Sequence, residues 1–80
     1  MNKEQERQRI GRRIATIRKA IEWIDESGIK RTGMTQAELA NRIGLSQVNI
    51  ARIERGYYSA GFDQLQAISE GLGGKIDIIF

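Results

Sequence analysis

The chain has 80 residues, 40% apolar but only 6% aromatic, and its 13 basic and 10 acidic residues leave a net charge of +3. That length supplies one small domain, residues 1–80, whose aliphatic core is marginal unless it is tightly packed or paired with a second copy. The lack of cysteine and histidine excludes disulfides, thiol chemistry and an ordinary zinc site, so neither metal nor cofactor is expected.

At the N-terminus, residues 1–20 hold seven of the basic residues, Lys3, Arg7, Arg9, Arg12, Arg13, Arg18 and Lys19, against Glu4 and Glu6. Charge of this density is a solvated helix face or a contact with a polyanion, and Arg9, Arg12 and Arg13 are the candidates for the second role. No apolar stretch follows that could act as a secretory signal, and none elsewhere is long enough to span a membrane, so the expected setting is the cytoplasm. Ile10, Ile14, Ile17, Ile21 and Ile24 step by four and three, the seam of one long amphipathic helix that Gly28 should end. Ile29 to Gly33 then reads as a loop. Trp23 lies off the isoleucine seam and is expected to pack under that loop or at a subunit contact.

Two further helix starts follow. Thr35 with Glu38 three residues on is a capping box, in which side chains satisfy the orphan N–H groups of a helix start. Leu39, Ala40 and Ile43 share one face of this helix, and Gly44 supplies a left-handed C-terminal residue. Leu45 plugs the turn. Ser46 caps a second helix, on which Ile50 and Ile53 recur at helical spacing before Gly56 closes it. Outward on that helix stand Gln47, Val48, Asn49, Arg52 and Arg55. These residue types suit the edges of DNA bases: Gln grips adenine N6 and N7, Arg forks onto guanine O6 and N7, and a small apolar group sits on a thymine methyl. Both helix N-termini carry free N–H groups and positive partial charge for phosphate, with Thr35, Gln36 and Ser46 beside them.

The rest of the chain continues the alternation of helix and stop. Phe62, Leu65, Ile68 and Leu72 predict a fourth helix that closes the core, stopped by Gly73 and Gly74. Lys75 to Phe80 changes period, with Ile76, Ile78 and Phe80 alternating, which predicts a strand at 75–80. A lone strand has open edges, so its expected use is to pair with a second copy and make a homodimer through Ile76, Ile78 and Phe80. Residues 61–80 carry Asp63, Glu70 and Asp77 against Lys75 alone, and this end should face away from a polyanion.

Taken together, Thr35-Gln36, Glu38-Leu39-Ala40, Ile43-Gly44-Leu45-Ser46, Ile50, Ile53-Glu54, Gly56, Leu65, Ile68 and Leu72-Gly73 resemble the lambda-repressor-like family, the Xre or Cro/C1 type of helix-turn-helix, over roughly residues 10–73. The resemblance implies an all-α bundle of four or five helices, here with a short C-terminal strand, whose motif at 35–55 binds double-stranded DNA. It implies a core at Leu39, Ile43, Leu45, Ile50 and Ile53 with a small residue at Ala40. It also implies base reading by Ser46, Gln47, Val48, Asn49 and Arg52, with Gln36 on phosphate. Two departures stand out. The loop Tyr57-Tyr58-Ser59-Ala60-Gly61 has no proline, and Glu22 to Gly33 adds about ten residues where helix connections are usually shorter.

Catalysis has no footing, since no spacing converges carboxylates, Lys, Tyr or Ser on one pocket, and Gly71, Gly73 and Gly74 end a helix instead of leading into one. The expectation is a non-enzymatic, dimeric, sequence-specific DNA-binding regulator, most simply a repressor on an inverted repeat. Two other readings share the motif: an antitoxin that also binds a toxin protein, and a protein-binding adaptor without DNA affinity.

Overall fold

The computed structural model describes residues 2–57 and 59–80; Tyr58, in the loop without proline, lies outside them. Helix α1 (Lys3–Ala20) begins at a second capping box, with Asn2 Oδ1 accepting from the Gln5 N–H at 2.8 Å and Gln5 Oε1 accepting from the Asn2 N–H at 3.3 Å. Its seam of Ile10, Ile14 and Ile17, with Ile21 just past its end, faces the core. The helix stops earlier than the spacing predicts, because Ile21 is already extended.

The segment expected as helix end and loop is a β-hairpin. Strands β1 (Glu22–Ile24) and β2 (Lys30–Thr32) pair antiparallel, with Glu22 opposite Thr32, Trp23 opposite Arg31 and Ile24 opposite Lys30. Asp25 is the reason the chain turns: its Oδ1 accepts from the N–H groups of Ser27 at 2.9 Å and Ile29 at 3.0 Å, and Gly28 takes the left-handed conformation at φ 77°. Asp at the first and Gly at the fourth position are hairpin-turn chemistry. Ile24 therefore leaves the isoleucine seam and stands 65% exposed.

Helices α2 (Gln36–Ile43) and α3 (Gln47–Glu54) form as their caps dictate. Thr35 accepts from the Glu38 N–H, Ser46 from the Asn49 N–H, and Gly44 closes α2 at φ 75°. Helix α4 (Phe62–Gly71) covers the other side of α2. A core of Ile14, Met34, Leu39, Ala40, Ile50, Ile53, Ile68, Leu72 and Ile79 joins the helices, with Ile43 and Leu45 packed at its margin. Phe62 contributes less than its place in the α4 pattern suggests, being 63% exposed.

The C-terminal strand does not form. Ile76–Ile79 make one turn of 3-10 helix, with the Ile78 N–H donating to the Lys75 carbonyl at 3.0 Å. A single strand here would leave its edges unpaired. The turn instead buries Ile79 completely, and Ile78 lies where a side chain at Gly74 would collide with its Cδ1 at 2.6 Å. Arg13 Nε donates to the Ile78 carbonyl at 2.9 Å and Arg9 to that of Phe80, so α1 takes up carbonyls that a partner strand would otherwise have held. The dimer contact assigned to Ile76, Ile78 and Phe80 as strand residues loses its structural basis. The protein is thus, among the described residues, a bundle of four α-helices with a small two-stranded sheet and a terminal 3-10 turn. Among the described residues no helix is long and apolar enough to cross a membrane.

Candidate nucleic-acid interface

The exposed face of α3 carries Gln47, Val48 and Arg52, with half-buried Ala51 among them and exposed Arg55 at its C-cap. Positions 48, 52 and 55 fall on one stripe at helical spacing, and Gln47 flanks it. Asn49 sits on the other flank, half-buried, its N–H held by Ser46 Oγ at 3.1 Å. Ile50 and Ile53 anchor the opposite side in the core. A two-turn helix pinned this way presents short polar and basic groups on a fixed surface, the shape and chemistry a major groove accepts.

Beneath this surface lies a buried network that the sequence did not announce. Arg18 forks onto Glu54, with Nε 2.7 Å from Oε2 and Nη2 2.9 Å from Oε1, while Nη1 donates to the Met34 carbonyl at 2.7 Å. The two side chains are only 8% and 6% exposed. Glu54 Oε1 also accepts from Gln36 Nε2 at 3.0 Å. Thus one carboxylate links α1, the start of α2 and the end of α3. Arg18 could have been found in the sequence, since it follows Ile14 by four on the inward side of α1. Gln36, expected on phosphate, has one amide hydrogen committed to Glu54 and one left for a ligand.

The other expected phosphate contacts divide. Thr35 is occupied in the α2 cap but keeps its hydroxyl hydrogen. Arg9 is shared between Glu6 and the Phe80 carbonyl, and Arg13 is held by Ile78. Arg12 is exposed, and its guanidinium has no protein partner among the described residues. The basic run is therefore partly structural.

At the start of α2, Glu38 closes the capping box by accepting from the Thr35 N–H at 2.9 Å and pairs with Arg31 of β2. The Thr35 backbone hydrogen bond, with the Arg31 guanidinium beside it, holds the Glu38 carboxyl below the usual carboxylate range. A lowered folded-state pKa contributes stability above the unfolded pKa, and that contribution is lost as pH falls through the folded value. Glu38→Gln keeps an acceptor for the cap but removes the charge, so it should destabilise the protein at neutral pH and progressively less in acid. Urea midpoints of both proteins across pH check this; a gap that does not narrow in acid refutes the charge effect.

The family model HTH_3, described as helix-turn-helix, matches residues 29–79. The chain belongs to this helix-turn-helix family, of the Xre or lambda-repressor-like type. HTH_3 membership supports a DNA-binding transcriptional regulator. Three solved structures share the fold. The restriction-modification controller protein C.AhdI from Aeromonas hydrophila superposes with a TM-score of 0.76 at 18% identity, covering 95% of this chain and 98% of that one. An HTH_3 family transcriptional regulator from Vibrio cholerae gives 0.77 at 22% identity, over 99% of this chain but 38% of that one. The clp gene regulator ClgR from Corynebacterium glutamicum gives 0.71 at 20% identity, over 91% of this chain and 66% of that one. No curated protein matches the chain.

Proposed function

We propose that this HTH_3 protein is a sequence-specific repressor that occupies an inverted-repeat operator as a homodimer. The observation that carries the reading is the exposed stripe of Gln47, Val48, Arg52 and Arg55 along α3 and its C-cap. Gln47 and Arg52 read base edges, Val48 offers an apolar contact, and Arg55 lies within reach of phosphate. Asn49 and Ser46 flank this contact. Gln36, Thr35 and the first free N–H groups of α2 and α3 hold the backbone, as helix N-termini do with anions. The similarity over nearly the whole of a restriction-modification controller supports a regulator built on a domain of this size. Two copies set about 34 Å apart would meet successive turns of one DNA face.

Selection of bound sequences from a random DNA pool should return an inverted repeat. On that site Gln47→Ala or Arg52→Ala is expected to cost about 1–3 kcal/mol, with little loss on random DNA. Equal losses on both DNAs would mean that α3 does not read bases. If Arg12 meets a phosphate, Arg12→Gln should flatten the slope of log affinity against log salt by roughly 0.9 per protomer. An unchanged slope would make Arg12 a solvated residue.

A further inference from the structure

The β1–β2 hairpin packs on the body by one face and leaves both edges open. Trp23 packs against the core with the Arg42 guanidinium of α2 5.9 Å from its ring centre, while within the hairpin its Nε1 donates to the Gly33 carbonyl at 2.8 Å and the Arg31 guanidinium lies 5.0 Å from the ring. The Gly33 N–H donates to the Ile21 carbonyl at 2.7 Å and the Asp25 N–H to that of Ile29 at 3.0 Å. Alternation along an antiparallel ladder then puts Trp23 and Arg31 in a hydrogen-bonded pair, so the N–H and C=O groups of Glu22, Ile24, Lys30 and Thr32 point outward. Among the described residues none of these has a backbone partner outside the hairpin.

We propose that β1 pairs edge to edge with β1 of a second copy across a two-fold axis centred on Trp23. This inference rests on the homodimer proposed above and names its contact. The register follows from the outward groups: Glu22 exchanges two backbone hydrogen bonds with the partner's Ile24, and Ile24 with the partner's Glu22. Trp23 then meets the partner's Trp23 at a non-hydrogen-bonded position, where side chains approach most closely. Ile24, 65% exposed in the single chain, then lies beside the partner's Glu22.

Charge selects β1 over β2. A β2 pair would set Arg31 against the partner's Arg31 along an edge that also carries Lys30, and like charges directly opposite are destabilising. In the β1 register, Glu26 of the turn comes opposite the partner's Ala20, next to the partner's Lys19, and both charged residues are exposed.

The chain contains no cysteine, so engineered thiols report the register directly. Residues in a hydrogen-bonded antiparallel pair have Cα atoms about 5.5 Å apart, within disulfide range. Mixing Glu22→Cys with Ile24→Cys under mild oxidation should give a cross-linked heterodimer, and mixing Lys30→Cys with Thr32→Cys should not. Ile24→Glu, which faces the partner's Glu22, is expected to weaken the dimer by roughly tenfold in sedimentation equilibrium while leaving the circular dichroism unchanged. A native dimer that fails to cross-link selectively overturns the β1 contact and leaves the dimer standing. A native chain that stays monomeric at high micromolar concentration overturns both.

Discussion

Glu54→Ala is expected to destabilise the protein by about 3–5 kcal/mol, because it leaves the Arg18 guanidinium buried without its counter-charge. Both side chains are almost fully enclosed, and the fork uses Nε and Nη2 together at 2.7 and 2.9 Å. Arg18 retains only the Met34 carbonyl, which cannot balance a full charge. The decisive comparison is the double variant Arg18→Met with Glu54→Leu, since replacing both members of a buried pair by apolar groups is often neutral or stabilising. The double variant should recover most of the loss in urea unfolding. Yet it also releases Gln36, which Glu54 holds at 3.0 Å, so stability should return without full operator affinity. If the two singles simply add, the pair is not coupled as its geometry requires.

The second large effect is expected at Gly11, where α1 crosses α3 backbone to backbone. A methyl group there would press on the carbonyl oxygens of Ile53 and Glu54, the latter at 2.5 Å, with the Glu54 carbonyl carbon at 2.8 Å. Side chains can yield to such an intrusion, but the carbonyls of a helix end cannot, so Gly11→Ala should reach or exceed the upper end of the usual 1–3 kcal/mol or so for overpacking. The shift would also tilt α3 on its core. Operator affinity should therefore fall even under conditions where the variant is still folded. Thermal unfolding and DNA titration on the same preparation separate the two effects; a variant as stable as the parent would show that the crossing is looser than described.

The helix-turn-helix was legible because its signals are local and each has one meaning. Thr35 with Glu38, Gly44, Ser46 and Gly56 mark ends, and Leu39, Ile50 and Ile53 mark the inner face, all within 22 residues of chain. The hairpin was hidden by a coincidence of spacing: Ile21 and Ile24 continue the helical step of α1, although Asp25 and Gly28 carry turn chemistry. Three-residue strands offer too little alternation to outweigh that step. In the tail, alternation of Ile76, Ile78 and Phe80 is real, but Ile76 and Ile79 are also three apart, the period of a 3-10 turn. Burial of Ile79 decided between them, and burial depends on the whole fold. Arg18 and Glu54 were unreadable as a pair because 36 residues separate them, although the inward position of Arg18 on α1 was visible and only Glu54 looks like a surface charge.

The ties from Arg9 and Arg13 to the terminal turn join residues 71 and 65 apart in sequence. The contacts of the hairpin and of the helix-turn-helix, by contrast, lie close along the chain. Loop-closure entropy makes such distant contacts the last to form and the first to open. The terminal turn should therefore dock after the helices have assembled and exchange its amide hydrogens well before α2 and α3 do. Its release would uncover Ile79 and free Arg9 and Arg13, while α1 itself stays held to α3 at Gly11 and through Arg18.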